Sequence, residues 1–222
     1  MTIEEYFGDW SKVIDLKEAD KIVKRLASSD RMFCPQMKDI FKAFRLCSLS
    51  NLRVVILGQD PYPQRNVATG IAFANSPDTP EKSYSPSLNI LMESVIDFTV
   101  PHRRIIFDPS LEKWEAQGVL MLNSALTCEL GKPGSHALLW RPFINSFLSK
   151  LSMQYTAVVY MLMGSQAQSF ESSIAKNNYV IKTRHPSYYA RTVTRMPSDI
   201  WKQVNDILIN INGFGIQWYE ES

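Results

Sequence analysis

A glycine, a glutamine and an aspartate follow directly on an apolar run, and this junction is the first place where the chain could do chemistry. Residues 52–57 read LRVVIL and residues 58–63 read GQDPYP. The apolar run predicts a buried strand, so Asp60 would lie in the turn at its carboxyl end, where α/β proteins bind ligands. Gly58 permits close approach of other backbone segments, and Pro61 restricts the conformation of the turn. We interpret Asp60 as a candidate catalytic acid or base; an ordinary Asp-Pro turn is the alternative.

A histidine in a similar position could share proton chemistry with Asp60. His185 follows the apolar residues 179–182 in a segment rich in lysine and arginine, which favours the neutral imidazole; a purely structural histidine is the alternative. No serine, cysteine or lysine lies in a recognisable nucleophile motif, so covalent catalysis is disfavoured. The other histidines, His102 and His136, lack a partner at metal-ligand spacing. We therefore expect no metal and no other cofactor.

Three further side chains could hold a flat base. Asn123 follows the apolar run 119–122, and its amide offers one acceptor and a donor pair. These match the N3–H donor and O4 acceptor of uracil, whereas cytosine presents the reverse pattern. Phe73 could stack on the ring and Tyr62 could form a wall of the same pocket. For both aromatic residues, packing in the core is the alternative.

Short apolar runs predict the strands that must position these residues. The strands are expected at 52–57, 119–122, 157–163 and 179–182, and helical spacing predicts helices at 18–27, 88–97, 141–151, 165–175 and 198–209. The alternation favours a single α/β domain over residues 1–222, with a central, mostly parallel four-stranded sheet and helices on both faces. Each run ends in a polar or small-residue cluster. If the strands are parallel and adjacent, these clusters share one rim of the sheet.

Composition and charge place the chain among ordinary globular proteins. Hydrophobic residues make up 45% of the 222, and the net charge of +2 is too small to establish a polyanionic partner. Positive charge is concentrated between residues 180 and 202, which carry five lysines and arginines and one aspartate. That segment is the better candidate to face phosphates.

The cysteines and the amino terminus bear on the compartment. Cys34, Cys47 and Cys128 have neither disulfide-framework nor zinc spacing, and neither a signal peptide nor a membrane span is recognised. We expect a protein of the cytoplasm, or of the nucleus if the source is eukaryotic or viral.

Taken together, the motifs resemble the family-1 uracil-DNA glycosylases. Six segments agree in order and spacing: 58–62 (GQDPY), 70–73 (GIAF), 85–88 (SPSL), 122–127 (LNSALT), 164–165 (GS) and 185–187 (HPS). Two upstream segments, 33–35 (FCP) and 39–44 (DIFKAF), extend the resemblance, which continues towards residue 210. It covers nearly the whole chain.

The resemblance implies hydrolysis of the N-glycosidic bond of a flipped-out deoxyuridine in DNA. Uracil would be released and an abasic site left, which initiates base excision repair, with no metal or cofactor. Asp60 would position the attacking water and stabilise the cationic sugar. Neutral His185 would hydrogen-bond O2 of the departing uracil, because that oxygen gains negative charge in the transition state.

The resemblance also implies roles for the residues around the base. The backbone N–H of Gln59 would be a second donor to the uracil, and Asn123 would read the base edge. Phe73 would stack on the ring, and Tyr62 would exclude thymine by occupying the space of its C5 methyl group.

Three loops are implied to grip the DNA backbone, since hydroxyl and amide groups position phosphates without reading sequence. The implied DNA-binding residues are Ser85, Pro86, Ser87, Gly164, Ser165, Ser187, Tyr188, Tyr189 and Arg191. Tyr189 takes the place of the leucine that the family inserts into the duplex; it would fill the stack or lie on the backbone. Pro63 replaces a histidine that is usual in the family.

The expected partners are single- and double-stranded DNA that contains uracil, and proteinaceous inhibitors. We expect no association with a membrane, and we expect a monomer. A second class remains open: a glycosylase-fold DNA-binding or replication accessory module with reduced catalysis, suggested by the unusual residues 188–195. Retention of Asp60, His185 and the base-binding residues favours the enzyme. Hydrolysis of an unrelated nucleotide would require a triphosphate cradle, and the sequence has no P-loop motif.

Overall fold

A parallel sheet of four strands organises the fold. A computed structural model describes residues 2–97 and 104–222. The strands in these ranges are β1 (Phe33–Cys34), β2 (Val54–Gly58), β3 (Ile105–Ile106), β4 (Val119–Asn123), β5 (Cys128–Glu129), β6 (Val159–Met163), β7 (Tyr179–Thr183) and β8 (Glu220–Glu221). The central sheet has the order β4-β2-β6-β7 and all its neighbours are parallel. Strands β2, β4 and β6 are buried along their whole length, as expected when helices cover both faces.

The pairing register brings the carboxyl ends of these strands together. Gly58 is paired with Asn123 on one side of β2, and Met163 is paired with Thr183 at the end of β6. The four polar clusters that follow the strands therefore share one rim of the sheet. The predicted strands, their parallel arrangement and their adjacency are confirmed.

Helices pack on both faces of the sheet. They are α1 (Ile3–Phe7), α2 (Leu16–Ala27), α3 (Lys42–Leu46), α4 (Pro86–Ile96), α5 (Glu112–Ala116), α6 (Ala137–Gln154), α7 (Ser165–Gln168), α8 (Pro186–Thr192) and α9 (Asp199–Asn212). The helix predicted over 165–175 is wrong beyond its first turn. The α-helix ends at Gln168, and a 3-10 turn at Glu171–Ser173 follows it, because the chain turns there to bury Phe170 and Ile174.

The segment after His185, which we expected to be a loop, is the helix α8. Pro186 occupies its first position, where a missing N–H and a fixed φ favour a helix start. The imidazole of His185 caps it by accepting the backbone N–H of Ser187. Helix α4 likewise begins with a proline, Pro86, but Ser85 before it makes no side-chain hydrogen bond to cap the helix.

Two apolar layers hold the sheet from its opposite faces. One contains an aromatic cluster in which Phe41, Phe44, Trp140 and Phe147 are buried. The other contains Trp114, Trp201 and Trp218, whose ring centroids lie 4.9–5.7 Å apart. Each large apolar side chain buried in this way contributes about 1.5–3 kcal/mol. The packed layers hold the strands in place, and the strands in turn position the rim.

In the described ranges, none of the helices has the length and apolar character needed to cross a bilayer.

Small antiparallel pairs complete the structure. Strands β1 and β5 pair with each other, as do β3 and β8. The first pair supports the turn after β2, because the thiol of Cys128 donates to the carbonyl of Pro61 at 3.4 Å and that of Cys34 donates to the carbonyl of Gln64 at 3.5 Å. These hydrogen bonds stabilise the backbone of the turn that carries Asp60.

Candidate active site

A cavity of about 270 Å³ opens at the rim formed by the strand ends. It lies just below the usual volume range of small-molecule sites, so it suits a single flat ring. The predicted residues that line it are Gln59, Asp60, Tyr62, Phe73, Ser87, Asn123, His185, Ser187 and Arg191. The residues that line it without having been predicted include Ile40, Ile71, Leu126 and Pro133, which supply apolar wall.

Asp60 is half-buried at the edge of this cavity. Its Oδ2 accepts a hydrogen bond from the backbone N–H of Gly134, and within the described residues its Oδ1 has no hydrogen-bond partner. Burial raises the pKa of Asp60 above its ordinary value, and the Gly134 N–H opposes that shift. The carboxylate is thus held by one oxygen. Gly134 was missed at the sequence level, where Pro133-Gly134 signalled only a turn.

The hydrogen bonds of His185 define its tautomer. The backbone N–H of Ser187 can only donate, and it donates to Nδ1 at 3.1 Å; the Ser187 hydroxyl lies 2.8 Å from the same nitrogen. Nδ1 is therefore the acceptor, so the proton of the neutral ring resides on Nε2. Burial, followed by the charge of Arg191, lowers the pKa of His185 to about 4. The imidazole is neutral at physiological pH and has one N–H donor to offer.

Gly164 allows His185 to sit against the end of β6. Its φ is +92°, and a Cβ built there would lie 2.8 Å from the Cβ of His185. Gly164 is buried, and its N–H donates to the carbonyl of Thr183 at 2.8 Å. The structure thus places this residue behind the imidazole, and not on the surface where we expected a contact with the DNA backbone.

Asn123 lies at the end of β4 with 9% of its surface exposed. Within the described residues, its side-chain amide makes no hydrogen bond, although it lines the cavity. A Cβ at Gly58 would lie 2.6 Å from Asn123 Oδ1 and 2.9 Å from Phe73 Cζ. Only glycine at position 58 leaves both side chains where they are. The buried amide is therefore available to a ligand with matching donors and acceptors.

Two aromatic residues form walls of the cavity. Phe73 adopts a left-handed backbone (φ 66°), an uncommon conformation for a residue with a large side chain. Its ring centroid lies 5.4 Å from that of His185. The Tyr62 hydroxyl donates to the carbonyl of Phe73 at 2.7 Å, and burial raises its pKa. Phe73 belongs to the core, as one interpretation held, and it also lines the cavity; its stacking on a base stays a prediction.

The first predicted DNA-gripping loop is the amino terminus of α4. Ser85 is buried; its hydroxyl accepts from the amide of Asn75 at 2.9 Å, and its N–H donates back to that amide at 2.8 Å. Pro86 is exposed, whereas Ser87 is buried and lines the cavity. Helix amino termini carry partial positive charge, and α4 presents its own beside the cavity. Ser165 is exposed at the start of α7.

The structure corrects our expectation for Tyr189. Its side chain is only 9% exposed and packs in the core, and its hydroxyl lies 3.3 Å from that of Thr183. The cause is the helix α8, which turns this position inwards. Tyr188 is half-buried, with the guanidinium of Arg184 lying 4.1 Å from its ring centroid. Arg191 is exposed at the cavity mouth.

Across the two described ranges, no group of three histidine, cysteine or acidic side chains is arranged to hold a metal ion. His102 lies outside those ranges. His136 is half-buried, and its Nδ1 lies 2.8 Å from the Thr127 hydroxyl, which also accepts from Trp140.

Known proteins resemble this chain over most of its length. The model of the Uracil DNA glycosylase superfamily matches residues 44–209. A uracil-DNA glycosylase of Buchnera aphidicola is 35% identical over 219 residues, covering 95% of this chain and 97% of its own. One from Yersinia pestis is 39% identical over 187 residues, covering 83% and 80%.

Solved structures show the same fold. The mimivirus uracil-DNA glycosylase superimposes with a TM-score of 0.74 at 24% identity, covering 95% of this chain and 89% of its own. A mimivirus UNG variant in complex with UGI has a TM-score of 0.77 at 25% identity, covering 94% and 83%. With the Asp60–His185 cavity, these matches show that the chain belongs to the uracil DNA glycosylase superfamily and is a glycosidase that excises uracil from DNA in DNA repair.

Proposed function

We propose that Asp60 and His185 act on opposite partners of the breaking bond. The sugar gains positive charge as the base departs, and the base gains negative charge. The Asp60 carboxylate stabilises the cationic sugar and positions the attacking water. The Nε2–H of His185 donates a hydrogen bond to O2 of the departing base. The observation that carries this assignment is the N–H of Ser187 on Nδ1 of His185, which leaves the donor nitrogen free.

The base is recognised, on this proposal, by the buried amide of Asn123 and by shape. Asn123 is only 9% exposed and its amide has spare donors and acceptors, so a base with the wrong edge would leave it unsatisfied. Phe73 stacks on the ring, the Gln59 N–H supplies a second donor, and Tyr62 occupies the space of the thymine methyl group. The Tyr62 hydroxyl is anchored to the Phe73 carbonyl, which makes that wall rigid.

A strand-cleavage assay tests the catalytic assignment. Uracil-containing single strand and duplex are incubated with the protein in EDTA and then treated with alkali, which cleaves abasic sites. The parent protein is expected to act on both. Asp60→Asn and His185→Gln are each expected to slow single-turnover excision by about 10²–10³-fold, with thermal unfolding reported alongside to show that the fold persists. A variant that excises at the parental rate would refute the role given to its residue. Strong DNA binding by a parent without excision would favour the accessory-module alternative.

We further propose that the DNA is gripped by the amino terminus of α4 together with Arg191, and that proteinaceous inhibitors compete for this surface. Support comes from the positive end of α4 beside the cavity and from the mimivirus complexes with UGI. A monomeric state is supported by the scatter of exposed apolar residues such as Leu138, Met153 and Phe214 over separate elements. A cytoplasmic or nuclear location is supported by cysteines that are free and buried.

A further inference from the structure

The carboxyl end of α8 carries an apolar side chain that is almost fully exposed. Val193 has 92% of its surface accessible, the highest value among the large apolar residues exposed in the described ranges. It follows directly on α8 and adopts a left-handed conformation, with φ 51° and ψ 44°. A β-branched residue in that conformation is a true outlier. Such strain persists only where the surrounding structure imposes it, and it is concentrated at functional positions.

Hydrogen bonds hold the turn around Val193 in place. The N–H of Val193 and that of Thr194 both donate to the carbonyl of Tyr189, the second at 3.1 Å. The hydroxyl of Thr192 donates to the carbonyl of Tyr188 at 2.9 Å and lies 2.7 Å from the hydroxyl of Thr194. The side chain of Val193 therefore projects from a fixed turn.

The position of this turn relates it to the uracil cavity. Helix α8 begins at the capping residue His185 and is seven residues long, which corresponds to about 10 Å. Arg191 lines the cavity two residues before Val193. Residues 184–198 contain three arginines and no acidic residue. The turn thus follows, two residues on, a side chain of the cavity mouth, in a basic segment that attracts the phosphates of a bound strand.

The two tyrosines of α8 are poorly placed to enter a duplex. Tyr189 is in the core, and Tyr188 is covered by Arg184 on its face and by Tyr189 at its edge, with ring centroids 5.4 Å apart. Insertion of the Tyr189 ring would require it to leave the core, and insertion of the Tyr188 ring would break its contacts with Arg184 and Tyr189. Val193 needs no rearrangement, because its side chain already stands in solvent.

We propose that Val193 is the side chain that enters the base stack when the uridine is flipped out. Apolar side chains that enter the stack hold it open where bases have been separated, and flipping of a duplex nucleotide leaves such a gap. Val193 is thus a positioning residue, distinct from the groups that act on the bond. This inference rests on excision of uracil from duplex DNA.

Comparison of duplex with single-stranded substrate tests the proposal. Val193→Asn keeps a residue that tolerates the left-handed conformation and replaces the apolar branch by a polar amide. Single-turnover excision from a U·A duplex is expected to slow about tenfold or more, and that from a single strand by less than about twofold. A 2-aminopurine beside the uracil should report reduced unstacking. Val193→Leu, which keeps an apolar side chain, should excise uracil from the duplex at about the parental rate.

Met153 provides the matched control. It is 71% exposed on the last turn of α6, and Met153→Asn should leave both rates at the parental value. An unchanged ratio of duplex to single-strand rates in Val193→Asn would overturn the proposal, whether both rates persist or both fall equally. Absence of single-strand excision by the parent would instead contradict the enzymatic function itself, so the two failures are distinguishable.

Discussion

At the scale of residues, the site depends on polar groups whose environment selects one chemical state. The His185 imidazole receives a backbone N–H on Nδ1 and is buried beside Arg191. Both features favour the neutral ring with its proton on Nε2. The pKa of Asp60 shifts upwards, because burial raises it and the backbone N–H of Gly134 opposes this shift only in part. Of the two groups, His185 is thus a neutral donor, while the proposed role of Asp60 requires its ionised form, because glycosidic cleavage separates charge.

The lowered pKa of His185 predicts a pH dependence of stability. Its folded-state pKa is about 4, against roughly 6.5 in the unfolded chain. Protonation of the unfolded state alone removes stability as pH falls from 6.5 towards 4. At pH 5 the difference amounts to about 2 kcal/mol. Denaturant unfolding at pH 7 and pH 5 should show this additional loss in the parent relative to His185→Gln. Equal losses in the two proteins would mean that His185 does not titrate as inferred.

At the scale of elements, catalysis depends on how α8 starts. Pro186 begins the helix, His185 caps it, and Gly164 gives the cap room to approach β6. The same few residues thus set the position of the donor nitrogen and the direction of the helix that carries Val193.

Gly164→Ala should therefore slow uracil excision even in the fraction of the protein that remains folded. The backbone of Gly164, at φ 92° and ψ 166°, lies in a region that almost only glycine adopts, so alanine there adds strain of about 1–3 kcal/mol, and its Cβ would push His185 out of place. Single-turnover excision is expected to fall about tenfold or more, because a displacement of about 1 Å in a catalytic group has effects of this order.

A second glycine separates strain from displacement. Gly213 also has a positive φ of +81°, in the ordinary left-handed region, and a Cβ there would meet nothing within 4 Å. Gly213→Ala should lower the unfolding free energy by about 1 kcal/mol and leave excision at the parental rate. If the two alanine variants excise equally well, the contact between Gly164 and His185 is unimportant for catalysis.

At the scale of the whole molecule, charge is distributed so that a nearly neutral protein has one basic side. The net charge is +2, while residues 184–198 carry three arginines without an acidic residue. Attraction to phosphates is therefore local, and exposed ion pairs elsewhere, such as Lys202 with Asp206, neutralise much of the remaining surface.

DNA affinity should depend on salt through this basic side. The dissociation constant for a uracil-free duplex is expected to rise with salt, and Arg191→Gln should reduce the slope of log affinity against log salt by about 1. Lys150→Gln is the control, since Lys150 is exposed about 20 Å along α6 from the end that adjoins the cavity. A slope that Arg191→Gln leaves unaltered would remove Arg191 from the DNA contact.

Local sequence patterns were enough to predict the strands and the candidate chemical groups at their ends. Apolar runs ending in polar clusters are local patterns, so the strand ends that carry Asp60, Asn123 and His185 could be predicted without knowing any long-range contact. The parallel α/β class followed from the same alternation. Boundaries were less accurate where burial of one side chain, such as Phe170, ended a helix early.

Contacts between groups that are distant along the chain became visible only in the folded structure. Gly134 reaches Asp60 over 74 positions, and no local signal specifies such a contact. The inward position of Tyr189 and the outward position of Val193 depend on α8 being a helix packed on the core, whereas alignment of motifs considers position along the chain alone. Packing against distant elements selects the face of each side chain, and that selection is the part of this protein that its sequence pattern left open.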